Sequence, residues 1–226
     1  MAILVLDVDG VVVLGHPEGG RWDKHLARDL GVASAALQDR FFRTHWRDIA
    51  LGKTDLTEAL REVWPQFGCA ASVTQFVDYW FANDSALNHE LLGEVAAWRA
   101  AGNSAFLATV QEHQRAEYLW RTLNLRSQFD GLFYSADLGA AKPDQAFYER
   151  AHARLWAAAR DEVVFLDDAI ANVEAASAFG WRARHFRDVD DLRQKLEAAG
   201  LPEQVKTEAM RELNRLAKMP TASPEY

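Results

Sequence analysis

A single cysteine, Cys69, occurs in the 226 residues. No internal disulfide can staple the fold, so the chain reads as a protein of a reducing compartment. No apolar run approaches the roughly 20 residues that a bilayer crossing needs, so no membrane partner is expected. Met1-Ala2-Ile3 runs straight into a strand pattern without a basic n-region; no signal peptide is expected, and the expected location is cytoplasmic. Positive charge is also scarce, with 25 Lys and Arg against 33 Asp and Glu and a formal charge of −8. Nucleic acid therefore finds no basic face, although a bound cation can reverse the field of a small site and admit a phosphorylated ligand. Repeats and low-complexity tracts are lacking as well. What is present is 49% hydrophobic and 26% charged residues, enough for one full-sized core and a small accessory domain.

Four segments read as buried parallel strands: Ile3–Leu6, Asn103–Ala108, Glu162–Leu166 and Arg182–Phe186, with a weaker strand at Gly131–Ser135. Amphipathic helices alternate with them, at Glu90–Ala101, about Pro143–Ala159 and Asn172–Phe179. Such alternation predicts an α/β fold with a Rossmann-like, mostly parallel sheet, which binds ligands beyond the carboxyl ends of its strands. The stretch from about His16 to Asn88 differs, because helical periodicity runs through "KHLARDLG", "LQDRFFRTHWRDIALG", "TDLTEALREVWPQFG" and "VTQFVDYWFAND". Asp55 and Glu58 have the spacing of a capping box, and Gly31, Gly52 and Gly68 stand where helices should stop. The predicted organisation is a core of residues 1–15 and 89–200, a helical cap of residues 16–88, and a C-terminal helix and tail over 201–226.

The strand ends carry the chemistry. "ILVLDVDGVVV" places Asp7 and Asp9 after the first strand. Thr109 follows the second, Asp167-Asp168 the third, with Asn172 just beyond, and Ala141-Lys142-Pro143-Asp144 lies between. Four carboxylates cannot all stay ionised together without positive charge nearby. An all-oxygen, carboxylate-rich set suits Mg²⁺, which commonly binds through a few carboxylates and a substrate phosphate. Lys142 adds a point charge suited to a phosphoryl group or a nucleophile, and Thr109 offers a hydroxyl to phosphate oxygens. Together they suit phosphoryl transfer, where catalysis is mostly positioning and charge neutralisation.

These residues resemble the four motifs of the haloacid dehalogenase (HAD) superfamily: "DVDGVVV" motif I, "FLAT" motif II, "AAKPD" motif III and "FLDDAIANVEAA" motif IV. Their order and spacing match over about residues 1–200, and the helical insert is similar to the family's C1-type cap. The resemblance implies that Asp7 is the nucleophile and Asp9 the general acid and base. It implies Mg²⁺ held by Asp7, by the carbonyl of Asp9 and by Asp168, with Asp167 assisting. Thr109 and Lys142 would hold the phosphoryl group. Family members often carry Asn after the motif II hydroxyl; here Val110 stands at that substrate-facing position, which bears on specificity and rate.

Taken singly, each element has a plainer reading. Asp-x-Asp-Gly is a common turn string, Asp167-Asp168 can cap a helix, and Lys142 can be a solvated loop lysine. A calcium loop fails at Val11, a P-loop at Arg47 and a zincin helix at Gly93. The tryptophans read as packing. His16, His113 and Arg115 fall close after motifs I and II and are further candidates for substrate contact. The expected activity is a Mg²⁺-dependent phosphatase acting on a small phosphorylated metabolite. The alternatives are a phosphomutase of the β-phosphoglucomutase type and a binding module without turnover; a dehalogenase fits less well, because Asp9 favours phosphoryl transfer. The motifs specify neither substrate nor oligomeric state.

Overall fold

The computed structural model describes residues 2–155 and 159–198. Five parallel strands form one sheet in the order β3-β2-β1-β4-β5: β1 (Ile3–Leu6), β2 (Ser104–Thr109), β3 (Gly131–Tyr134), β4 (Val163–Asp167) and β5 (Arg182–His185). β1 is buried on both faces because every side chain in it is apolar. Leu4 and Leu6 join the core on one face with Ala105, Leu107, Val164 and Leu166. Ile3 and Val5 join the core on the other with Phe106, Ala108, Val163 and Phe165. The register runs Leu6 opposite Leu107 on one side and opposite Leu166 on the other. The residues just past these positions therefore come together at a single edge of the sheet.

The chain leaves the sheet through a tight loop in which the Val8 carbonyl accepts from the N–H groups of Val11, Val12 and Val13. Val11–Val13 are buried in the core, so "GVVV" anchors the exit. Outgoing and returning segments pair directly, Leu14 N–H donating to Ala86 O at 2.8 Å and Ala86 N–H to Gly15 O at 3.1 Å. Between them stand α1 (Leu26–Leu30), α2 (Ser34–Leu37), a π-helical turn (Gln38–Phe42), α3 (Arg43–Ala50), α4 (Leu56–Val63) and α5 (Val73–Asn83). Their apolar faces close on a separate core that includes Leu26, Phe41, Leu60, Phe76 and Trp80.

The remaining helices flank the sheet: α6 (His89–Ala100), α7 (His113–Glu117), α8 (Ser135–Leu138), α9 (Gln145–His152), α10 (Ile170–Phe179) and α11 (Val189–Ala198). Contacts tie the insert to them. Ser135 Oγ donates to Ala50 O at 2.6 Å, and Gln114 Nε2 donates to Thr57 Oγ1 at 3.0 Å and Asp55 Oδ2 at 3.2 Å. Gly52 has φ +70°, and a Cβ there would press on the Ala136 carbonyl and the His113 ring. Glycine thus both ends the α3 turn and permits close approach to α8.

Several sequence expectations shift. β4, expected at Glu162–Leu166, starts and ends one residue later, at Val163 and Asp167. β2 starts and ends one residue later than expected, at Ser104 and Thr109. The helix expected to reach Ala159 ends at His152, after which the chain turns and buries Leu155. Asp55 caps α4 by accepting from Glu58 N–H at 3.0 Å, but its second oxygen serves Gln114. The complete capping box is Ser72 with Gln75, at α5. The expected C-terminal helix and tail lie outside the described residues.

Candidate active site

The register delivers the acidic residues to one edge. Asp7 N–H extends the ladder by donating to Leu166 O at 2.9 Å, which sets Asp7 beside Asp167. Carboxylate oxygens of Asp7, Asp167 and Asp168 lie within 4.8 Å of one another. Lys142 is buried between two of them, its Nζ 2.8 Å from Asp7 Oδ1 and 2.6 Å from Asp167 Oδ2. Asp7 Oδ1 also accepts from Val8 N–H at 2.7 Å, so both of these bonds fall on one oxygen and leave Oδ2 to the site.

The three acids are not equivalent. Asp167 is fully buried and held by protein: Oδ1 accepts from Ala169 N–H at 2.8 Å and Asn172 Nδ2 at 2.9 Å, and Oδ2 from Lys142. Asp168 is exposed, and its carboxylate lies against Gly10, where a Cβ would overlap it. Asp9 stands apart. Its carboxylate is outside the three-acid group, opens on the cleft, and accepts from Gln111 Nε2 at 2.6 Å.

Burial pushes the Asp7 carboxyl up to about 6; Lys142 pulls against this and Asp167 adds to it. Burial, reinforced by the charges of Asp7 and Asp84, pushes Asp9 up to about 7. Asp168 is raised by burial and by Asp167. Burial disfavours the Lys142 ammonium, yet Asp7 and Asp167 outweigh it and hold its pKa above the ordinary lysine value. Three carboxylates against one ammonium leave a net negative cluster, a donor set that fits a hard divalent cation. Thr109 points to a ligand as well: the residue is fully buried at the end of β2, and its Oγ1 has no hydrogen-bond partner. Buried polar atoms are rarely left so.

A cleft of about 850 Å³ opens between sheet edge and insert, with Asp9, Gly10, Gln111 and Asp168 on the sheet side. Of the three additional candidates, Arg115 lines this cleft, buried and bonded to the carbonyls of Phe81 and Asp84. His16 accepts from Glu18 N–H and packs edge-on against His25, while His113 faces Tyr134. Val110 is half-buried and, like the buried Asp7, Thr109, Lys142 and Asp167 behind the wall of Asp9 and Asp168, not part of the cleft lining. Gln111 is the residue that sequence reasoning missed: the amide expected after the motif II hydroxyl sits one position later and meets Asp9. A carboxamide at that position was the available signal, but its partner is 102 residues away.

The family model described as haloacid dehalogenase-like hydrolase matches residues 1–180. A predicted HAD-like family hydrolase from Porphyromonas gingivalis is 17% identical and superposes with a TM-score of 0.70, over 87% of this chain and 97% of its own. A HAD family enzyme from Bacteroides thetaiotaomicron, in complex with magnesium and inorganic phosphate, is 16% identical with a TM-score of 0.69, over 85% and 98%. L-2-haloacid dehalogenase from Xanthobacter autotrophicus is 14% identical with a TM-score of 0.60, over 93% and 88%. At these identities the likeness is one of fold. Curated proteins match over short segments. Lon protease of Koribacter versatilis is 55% identical over 40 residues, 18% of this chain and 5% of that protein. Sesquiterpene phosphatase of Aspergillus oryzae is 43% identical over 60 residues, 26% of this chain and 30% of that protein.

Proposed function

Because the chain belongs to the haloacid dehalogenase-like hydrolases, we propose that it is a Mg²⁺-dependent phosphatase. It hydrolyses a small phosphorylated metabolite through an aspartyl-phosphate on Asp7. Residues 16–88 act as a C1-type cap over a core of residues 1–15 and 89–200. The observation that carries this reading is the division between the two motif I aspartates. Asp7 sits in the carboxylate cluster with Lys142 on its Oδ1, while the Asp9 carboxyl is turned out of that cluster and held by Gln111. One is arranged as a nucleophile and the other as a proton carrier. The Bacteroides enzyme's complex with magnesium and phosphate and the Aspergillus relative's description as a phosphatase support the same chemistry.

In the proposed reaction, Asp7 Oδ2 forms a bond to phosphorus as the bond from phosphorus to the leaving oxygen breaks, and the Asp9 proton passes to that oxygen. Water then attacks the phosphorylated Asp7, giving its proton to Asp9, and the bond between phosphorus and Asp7 breaks to release phosphate. Lys142 holds Asp7 Oδ1 in place, and the unpaired Thr109 hydroxyl donates to a phosphoryl oxygen. Gln111 orients Asp9. Mg²⁺ held by Asp7, Asp168 and the Asp9 carbonyl, with Asp167 assisting from behind through Lys142 and Asn172, would neutralise charge on the phosphoryl oxygens. The cap excludes water from the cleft.

The test is phosphate release from p-nitrophenyl phosphate with and without EDTA, on wild type and Asp7→Asn. The expected result is activity that requires free divalent cation and falls by at least a thousandfold in the variant, as for loss of a covalent nucleophile. Full activity in Asp7→Asn, or indifference to EDTA, would sink the mechanism.

A further inference from the structure

The insert side of the cleft is built from rings. Trp22, Phe42, Trp46 and Trp80 line it together with Leu37, and Leu14, half-exposed at the exit from the sheet, lies across from them. The rings brace one another: Trp80 lies 5.3 Å from Trp22 and from Phe42, and 5.7 Å from Trp46, between centroids. Trp80 is buried, while Trp22, Phe42 and Trp46 are only half-buried and turn their remaining apolar surface to the cleft. Apolar and aromatic surface left open on one wall of a concavity is the lining that ligand sites commonly present.

The charged side chains on the insert wall are already paired, Arg21 with Asp23 and Asp84 with Arg115. The Gln38 amide and the indole N–H groups, that of Trp80 buried without a partner, are the polar groups left on that wall. Arg21 is bound through Nε and Nη2 to the Asp23 carboxylate at 3.0 and 3.1 Å, and Ser34 Oγ donates to Asp23 O at 3.3 Å. Arg115 is held by Phe81 O and Asp84 O, and Gln111 by Asp9. A sugar or polyol entering here would strip water from its hydroxyls and find few groups free to replace it, which penalises binding. Gln38 and Phe42, both on the cleft, lie at the two ends of the π-helical turn, where Arg43 N–H reaches back to Gln38 O. Such turns are unfavourable in isolation and are found disproportionately at functional sites.

We infer that the cleft takes the phosphate monoester of a bulky apolar alcohol, with the hydrocarbon packed against Trp22, Phe42 and Trp46 while phosphorus faces Asp7. This rests on the phosphatase reading, since the ester's orientation is set by Asp7 and Asp9. A volume of about 850 Å³ far exceeds a phosphoryl group and falls in the range that holds drug-sized ligands.

The experiment is kcat/KM for phosphate release, with Mg²⁺ present, from straight-chain alkyl monophosphates of two to eight carbons. Glycerol 3-phosphate, glucose 6-phosphate and acetyl phosphate are run alongside. These alkyl esters have leaving groups of similar acidity, so differences report the cleft rather than the leaving oxygen. The expected result is a rise of about fourfold per methylene, the factor that burial of one methylene supplies, with octyl phosphate preferred over glucose 6-phosphate by at least a hundredfold. Trp46→Ala should flatten the chain-length slope, and Trp46→Phe should restore most of it. If Trp46→Ala does not fold, the wild-type series still decides. A flat or falling series, or preference for the polyol esters, with phosphate release intact, overturns the apolar assignment and leaves the phosphatase reading standing. No release from any of these esters or from acetyl phosphate overturns both.

Discussion

At the scale of single residues the site stores cost where it needs reactivity. The Thr109 hydroxyl is buried without a partner, and such a group destabilises a fold by about 1–3 kcal/mol. Thr109→Val keeps the shape and removes the liability. The variant should unfold at higher urea, by about 1 kcal/mol, while kcat/KM for phosphate release falls by roughly a hundredfold. Loss of stability without loss of activity would contradict the role given to this hydroxyl. Gly10 shows the opposite constraint. With φ +76° and the Asp168 carboxylate where a Cβ would go, Gly10→Ala should displace Asp168 and strain the loop. The expected outcome is weaker Mg²⁺ activation, read as a higher Mg²⁺ concentration for half-maximal rate, along with about 1–2 kcal/mol lost stability. Asp7, Thr109, Lys142 and Asp168 stand out in sequence because charge and hydroxyl at the ends of apolar runs are unusual. Gln111 does not, because an amide becomes informative only when its partner, Asp9, is known.

Elements were legible to the extent that one local rule governed each. β1 was, since a short apolar run with β-branched residues, stopped by Asp7, fits a strand buried on both faces. α5 was placed by its period, and its cap, Ser72 with Gln75, is a local pair. The end of α9 was not: nothing within "YERAHARLWAAA" signals a stop, and burial of Leu155 in the sheet's core decides it. Connections between elements were also invisible, as Asp130 illustrates. Its carboxylate accepts from Ala105 N–H at 2.8 Å at the start of β2 and from Arg99 Nη2 at 2.6 Å near the end of α6. Burial opposes ionisation of Asp130, but Arg99 and the Ala105 amide prevail and hold its pKa below the ordinary carboxylate value. The folded state therefore binds fewer protons here than the unfolded chain. Its stabilisation is complete above the unfolded aspartate's range of about 4, and is lost as pH falls through the lower folded value. Asp130→Ala should cost about 0.5–1.5 kcal/mol at pH 7 in urea unfolding. The gap between variant and wild type should hold to about pH 5 and narrow below about pH 4; a gap that widens on acidification would refute the assignment.

At the scale of the whole molecule, the sheet edge and the insert complete one site from two cores. A net negative cluster assembled only on folding would couple the proposed cation to stability. Mg²⁺ at a hundred times its dissociation constant should add about 2.7 kcal/mol, or roughly 5–10 °C in the unfolding midpoint for a chain of this size. Asp168→Asn should abolish most of that shift yet fold normally, because its carboxylate is exposed; an undiminished shift would place the cation elsewhere. Sequence alone determined the parallel α/β core, the helical insert and four of the residues gathered at the carboxyl edge of the sheet. Hydrophobic periodicity is a local property, and a strand's end is fixed where its apolar run stops. Only tertiary structure decided that Asp167 is spent on Lys142 while Asp168 stays open, that Gln111 meets Asp9, and that three half-buried rings line the cleft beside them. Those outcomes depend on register and on packing between segments far apart in the chain, and no stretch of sequence contains both partners.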